Sequence, residues 1–308
     1  MSITITTGGI TMTGGGVTFT APPGGSKAIF GYGSTGSVTT ITNLVSNTGV
    51  VANDTAGVGT ARQDLAAAGY GTDKAIFGYG DASGSVSMTN LVSNTGVVAN
   101  DTTGVGTARR TLAAAGYGTD KAIFGYGYTS VTASMTNLVS NAGVVATDTT
   151  GVGTARLSLA AAGYGTDKAI FGYGSTGSVT AITNLVSNTG VVANDTAGVG
   201  TARYGLAAAG YGTDKAIFGY GIGASTYSLT NLVSNTGVLA SDTTGVGTAR
   251  FYTAAAGYGT DKAIFGYGVP NSGPRVSVTN LVSNIGVVAT DTTGVGTARS
   301  SLSAAAYG

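Results

Sequence analysis

Four residue types are missing from this chain: cysteine, histidine, tryptophan and glutamate. All 13 acidic residues are aspartate. Without cysteine there are no disulfides, thiolate metal sites or thiol nucleophiles. Without histidine there is no imidazole base, which excludes a Ser-His-Asp triad and a histidine-held zinc. A pair of catalytic glutamates is excluded as well. Charge is scarce, with 9% of residues charged and a net charge of +1. That leaves no electrostatic footprint for nucleic acid or anionic lipid. No apolar run reaches the ~20 residues of a membrane span. The first residues, Met1-Ser2-Ile3-Thr4-Ile5-Thr6, have neither the basic start nor the apolar core of a secretory leader. The expectation is a non-enzymatic protein with no metal, no cofactor, no nucleic acid partner and no membrane span.

Proline is rare, at 4 residues, while glycine is abundant, at 54. Collagen needs both at high frequency and a strict triplet period. Disorder needs low hydrophobicity and high charge, and 42% of this chain is hydrophobic. The apolar residues are Val, Ile, Ala, Tyr and Phe, mixed with Thr and Ser, a vocabulary of strands and turns.

The sequence is periodic. Lys-Ala-Ile-Phe-Gly-Tyr-Gly begins at Lys27, Lys74, Lys121, Lys168, Lys215 and Lys262, a constant spacing of 47 residues. Each copy continues through Thr-Asn-Leu-Val-Ser-Asn, an Asp-Thr pair, Gly-Val-Gly-Thr-Ala-Arg, an Ala-rich run and Gly-Tyr-Gly-Thr-Asp. Four strands per unit are predicted. In the first copies they are residues 65–70, 27–32, 38–45 and 49–54, separated by glycine-rich turns. Four strands in 40–50 residues are the signature of a propeller blade. Small residues of the Ala-rich strand suit the crowded axis. The first copy lacks an Ala-rich strand before Lys27, and the chain ends on one with nothing after it. Pairing those ends completes a sixth blade and removes exposed edges. The expected fold is all-β: a six-bladed β-propeller of four-stranded blades over residues 27–308, closed by the C-terminal strand pairing with the first blade's strands.

Several blocks carry a resemblance. Asn47-Thr48-Gly49-Val50, Gly57-Val58-Gly59-Thr60-Ala61-Arg62, Ala66-Ala67-Ala68 and Lys74-Ala75-Ile76-Phe77-Gly78-Tyr79-Gly80 together resemble a kelch repeat. The chain differs in having Gly-Tyr-Gly for the kelch Gly-Gly doublet, and Gly or Val at the kelch Trp position. The near-identical Asn-Leu-Val-Ser-Asn-Thr-Gly-Val-Val and Thr-Asp-Lys-Ala-Ile-Phe-Gly-Tyr-Gly blocks are also similar to repeats of tailed-phage structural proteins. The first resemblance implies a propeller; the second implies a particle component.

Candidate residues fall into two groups. Asp54, Asp101, Asp148, Asp195, Asp242 and Asp291 stand once per repeat, as do Arg62, Arg109, Arg156, Arg203, Arg250 and Arg299. One carboxylate per blade is too sparse for calcium. The Asp and Arg of a repeat stand eight residues apart, as Asp54 and Arg62 do, and a structural role is expected: a salt bridge, or backbone hydrogen bonds in which arginine satisfies the carbonyls of the loop between blades. The second group lies where the copies differ: after each Gly-Tyr-Gly, and in the pair after each repeat arginine. In a four-stranded meander both places emerge on one face, and loops on a rigid scaffold carry binding function. The expected ligand- or partner-facing residues are Arg110, Tyr128, Tyr204, Tyr227, Phe251, Tyr252 and Arg275, with the aromatics exposed.

Residues 1–26 lie outside the repeat. They alternate in three short runs, 3–6, 10–13 and 17–20, and end in Pro22-Pro23-Gly24-Gly25, a linker composition. Three short strands bury little alone, so this segment is expected to pair with another chain or with a propeller edge: an arm that docks on another virion protein, or a segment packed on its own disc. The functional expectation is a virion structural or attachment protein, of a phage in particular. It would be assembled in the host cytoplasm and would contact a host-surface glycan or protein. The alternative is a lectin-like carbohydrate-binding module, since Tyr and Phe stack on sugar rings.

Overall fold

The computed structural model describes residues 2–6, 9–13 and 26–308. The described residues form strands, turns and bends, with no helix. Each repeat contributes one antiparallel sheet of three strands. The Lys-Ala-Ile-Phe-Gly strand lies in the middle, flanked by the Ala-rich strand and by Thr-Asn-Leu-Val. In one repeat Ala66–Tyr70 pairs with Lys74–Gly78 from Ala66↔Gly78 to Tyr70↔Lys74, and Lys74–Gly78 pairs with Thr89–Val92. The middle strand reads as a continuous apolar run because both its faces are covered. Ala75, Ile76 and Phe77 are fully buried.

The sheet holding Lys27–Gly31 takes its third strand from the far end of the chain. Ser303–Tyr307 pairs with it from Ser303↔Gly31 to Tyr307↔Lys27, the register used inside the other repeats. The unit starting at Lys262 departs most. Its strands lengthen to Lys262–Pro270 and Val276–Val282, with a register shift between Gly266 and Gly268, and Arg250–Phe251 adds a short fourth strand.

The fourth strand expected at residues 49–54 does not form as a strand. Two isolated bridges replace it, Val45↔Val51 and Thr42↔Thr55, and the same pair recurs in every repeat. The bridges are three residues apart on one side and four on the other. One extra residue therefore breaks the ladder, as a bulge does. The slack is taken up by Asn43, whose Nδ2 donates to the Ala52 carbonyl (3.0 Å) and to Asp54 Oδ1 (2.9 Å). The expected strand over 38–45 also shortens, to Thr42–Val45. Tyr32 and Gly33 both sit at positive φ (63° and 99°), which ends the regular ladder at Gly31.

Neighbouring sheets pack through their Ala-rich strands. Ala66–Tyr70, Ala113–Tyr117, Ala160–Tyr164, Ala207–Tyr211 and Ala254–Tyr258 lie side by side in that order. Ser303–Tyr307 lies against both Ala254–Tyr258 and Ala66–Tyr70. Small residues permit such close approach on both sides: a Cβ added at Gly69 would lie 3.2 Å from the Ala306 carbonyl oxygen. Ala66, Ala68 and Tyr70 face the following repeat's Leu112, Ala114 and Phe124. Leu65 and Ala67 face Ile29, Tyr32 and Tyr307. Farther out, the Phe77 ring seats on Gly31 of the preceding sheet, where a Cβ would come within 2.7 Å of it. Tyr32 meets the same ring edge-on, 5.2 Å between centroids. Phe30 makes the equivalent contact with Tyr267.

Of the N-terminal segment, Ser2–Thr6 and Gly9–Thr13 form an antiparallel pair, from Ser2↔Thr13 to Thr6↔Gly9. The third expected run, 17–20, and the linker 22–25 lie outside the described residues.

Candidate functional site

The repeat arginines are completely buried. Each therefore needs an internal partner for its guanidinium. Arg62 Nε donates to the Tyr79 carbonyl (2.9 Å), Nη1 to the Thr60 carbonyl (3.1 Å) and Nη2 to Asn90 Oδ1 (2.6 Å). Its guanidinium carbon lies 4.4 Å from the centre of the Tyr32 ring. Asn90 Nδ2 in turn donates to Asp101 Oδ1 at 2.8 Å. The Asp101 carboxylate accepts from the backbone N–H of Thr60 (2.9 Å) and from its hydroxyl (2.7 Å). One loop is thus fastened to Asn and Asp of the next repeat.

The same set recurs around the molecule. Arg109, Arg156, Arg203 and Arg250 approach Asp148, Asp195, Asp242 and Asp291, and Arg299 approaches Asp54, at 3.8–4.0 Å. The partner is never the aspartate eight residues upstream. Partial burial pushes each of these carboxyls up. The Thr and Asn hydrogen bonds, with the arginine's charge, outweigh it and hold them below the usual carboxylate range. Burial pulls each arginine down from its usual value, but guanidinium stays charged. The asparagines that complete this network carried no signal in the sequence beyond their repetition.

Two series of backbone hydrogen bonds join the Ala-rich strands at their ends. Asp64 N–H donates to Ser301 O, Thr111 to Asp64, Ser158 to Thr111, Gly205 to Ser158, Tyr252 to Gly205 and Ser301 to Tyr252. The series returns to its start, at 2.6–3.1 Å per step. At the opposite ends, Gly71 donates to Asp120, Gly118 to Asp167, Gly165 to Asp214, Gly212 to Asp261, Gly259 to Ser26 and Gly308 to Asp73. Ser26 thus stands where the other repeats have the turn aspartate. It also donates to Gly308 O through its N–H (3.0 Å) and its hydroxyl (2.6 Å).

The Ala-rich strands wall a cavity at each end. The one at the Gly-Thr-Asp-Lys turns is about 170 Å³, lined by Tyr70, Thr72, Lys74 and their counterparts. All five lysines that line it are already paired with the adjacent aspartate, at 2.6–3.0 Å. The other cavity is about 100 Å³, framed by Leu65, Leu112, Leu159, Leu206 and Leu302, with Thr253 at the sixth position.

The variable residues gather around this second end. Gln63 bridges Asp81, Arg110 bridges Tyr128, Tyr204 bridges Ile222 and Ser300 bridges Ser34. The two variable stretches therefore meet, each pair across a repeat boundary. Arg110 Nη1 lies 3.0 Å from Asp81 Oδ2, and its guanidinium is 5.3 Å from the Tyr128 ring. Tyr252 packs against Phe251 (4.9 Å) and edge-on to Tyr204 (6.4 Å). Tyr227 N–H donates to the Gly221 carbonyl (2.8 Å), and Arg275 Nε to Ser300 Oγ (2.9 Å). The aromatics are half-buried, not fully exposed as expected, because they cover one another and the loop backbone. Asp64 and Thr253 belong to the same end; Asp64 was visible only as one of a variable pair. Among the described residues no group of three or more His, Cys, Asp or Glu converges as a metal site, and no helix is long and apolar enough to cross a membrane. No family model matches the chain, and no curated protein matches it.

Proposed function

We propose that residues 27–308 form a closed six-bladed β-propeller of kelch-like repeats. On this reading the chain is a non-enzymatic structural or attachment protein of a virus particle, specifically a phage. It docks through residues 1–26 and meets a host-surface glycan or protein with its variable face. Closure is supported by the pairing of Ser303–Tyr307 with Lys27–Gly31 and by two hydrogen-bond series that return to their start.

The observation that carries the functional reading is the division of labour between the two ends. The nearly invariant Gly-Thr-Asp-Lys turns occupy one end, and Ser26, where the arm joins, lies among them. The variable residues occupy the other. An arm that docks from the invariant end leaves the variable end facing outward. Mass spectrometry and immunogold labelling of purified particles test this directly. The protein is expected in the particle, with antibodies to the 269–275 loop binding intact particles. Its absence, or burial of that loop against a neighbouring subunit, overturns the reading. The cluster of Tyr204, Phe251 and Tyr252 favours a second reading, a carbohydrate-binding module; glycan-array binding by a protein absent from particles selects it.

A further inference from the structure

We infer that the cavity at the Gly-Thr-Asp-Lys turns binds a small organic carboxylate with an apolar body. The inference goes beyond the attachment reading and does not depend on it.

The interior of this cavity is apolar. Its walls are the Ala-rich strands, with alanines such as Ala68 and Ala115 and one glycine from each of five repeats. Its volume of about 170 Å³ compares with the ~150 Å³ of a cavity that takes up benzene. An apolar chamber of that size with a few polar groups at one end is the usual form of a small-molecule site.

The polar groups at this end are cationic and within reach. Lys74, Lys121, Lys168, Lys215 and Lys262 all line the one cavity, and their side chains are 43–44% exposed. Each ammonium has three N–H donors and gives one to its aspartate, which leaves two. Four of the five aspartates do not line the cavity. The fifth, Asp120, also accepts from Asn141 Nδ2 at 3.1 Å. At the sixth position Ser26 replaces the aspartate, and Lys27 makes no ion pair among the described residues. This end therefore carries six lysines against five aspartates, a surplus of one positive charge. Apolar walls focus the field of such a ring into the cavity.

The threonines of the turns supply a second, independent observation. Thr72, Thr119, Thr166, Thr213 and Thr260 line the same cavity and are exposed. All five adopt φ of 69–71°. A β-branched residue is strained there, and glycine or asparagine would relieve the strain. Strain of this kind gathers at ligand sites. Each of these turns keeps a hydroxyl at the mouth instead.

This donor set selects the ligand. A carboxylate accepts from the ammonium and hydroxyl groups, and its single negative charge matches the surplus. An ammonium ligand is repelled. An alcohol of the same shape fills the interior but leaves the surplus charge unmatched. A bare anion meets the mouth but removes no apolar surface from water.

Calorimetric titration of the full chain with benzoate and with hexanoate tests the assignment. Saturable binding of at least one is expected. Benzyl alcohol, hexan-1-ol, acetate and inorganic phosphate are expected to bind at least tenfold more weakly, and benzylammonium not at all. Two double variants move the affinity in opposite directions. Lys121→Gln with Lys215→Gln removes two cations and is expected to weaken binding at least tenfold. Asp167→Asn with Asp214→Asn frees two lysines and is expected to tighten it at least threefold. The severed pairs are solvent-exposed, so both variants are expected to keep the denaturation midpoint. If the lysine variant fails to fold, the aspartate variant still decides. No saturable binding of either carboxylate overturns the assignment. So does equal binding of the alcohols, of acetate or of phosphate, and so does an aspartate variant that binds no tighter than the unaltered chain. The titration needs no particle, so it fails independently of the attachment reading.

Discussion

A charge buried six times over is the costliest choice in this sequence, and it sets the residue-scale expectations. Arg156 is fully buried and donates to the Tyr173 and Thr154 carbonyls and to Asn184. Arg156→Ala removes the donor and strands those acceptors, so a loss of about 3 kcal/mol is expected from guanidinium-chloride denaturation. Arg156→Lys recovers only part of it, because an ammonium does not reproduce the planar fork. Arg110→Ala is the control: its pair with Asp81 is partly solvated, and its loss is expected to cost less than about 1 kcal/mol. The six aspartates fastened to these loops give a pH dependence. Their carboxyls titrate lower in the folded protein than in the unfolded chain. The stability they contribute is therefore fully present above the unfolded value of about 3.9 and is lost as pH falls through the lower folded values. Denaturation midpoints are expected to hold from pH 7 to about 5 and to fall below about 4. A variant with all six aspartates changed to Asn should show a flatter acid limb and a lower midpoint at pH 7.

Among the elements, the C-terminal strand does what each internal Ala-rich strand does, but without covalent continuity. Truncation after Arg299 removes the strand Ser303–Tyr307 with the buried side chains of Leu302, Ala304, Ala305 and Tyr307. A loss on the order of 5 kcal/mol is expected from that burial and its hydrogen bonds, read as a lower denaturant midpoint and a greater tendency to aggregate through the bared edges. The place of this strand was legible in the sequence, because counting Ala-rich and Lys-initiated runs leaves one of each unpaired at the ends. The fourth segment was not legible. A single extra residue between its two bridges is invisible in a pattern of Gly, Val and Asn, yet it suffices to break a ladder. The arginine partners were hidden for a different reason. The sequence displays Asp54 and Arg62 eight residues apart, and the copies are nearly identical, so nothing marks the aspartate of the next repeat as the one that meets Arg62. Thr253 was not singled out at all, because its place beside five leucines matters only once the six Ala-rich strands lie together around a cavity.

At the scale of the whole molecule, near-identity of the repeats and difference at one end are two halves of one design. The contacts between repeats are the same everywhere: a Phe ring on a glycine, an arginine over a tyrosine, a loop tied to Asn and Asp. They hold without the N-terminal segment, because the six sheets are already matched one to the next. Residues 1–25 are therefore expected to be dispensable for folding. A chain beginning at Ser26 should retain the denaturation midpoint of the full protein, since the Ser26–Gly308 hydrogen bonds and all six sheets remain. What it should lose is assembly. Ser2–Thr6 and Gly9–Thr13 form a sheet of only two strands, too little to be stable without a further partner. If that partner is another protein of the particle, the truncated chain purifies folded but stays free when mixed with particles lacking the protein, while the full chain sediments with them. If instead the truncated chain sediments equally well, docking runs through the Gly-Thr-Asp-Lys turns themselves. If truncation lowers the unfolding free energy by more than about 1 kcal/mol, the hairpin belongs to the fold of its own chain, and an arm reaching to a neighbour is excluded.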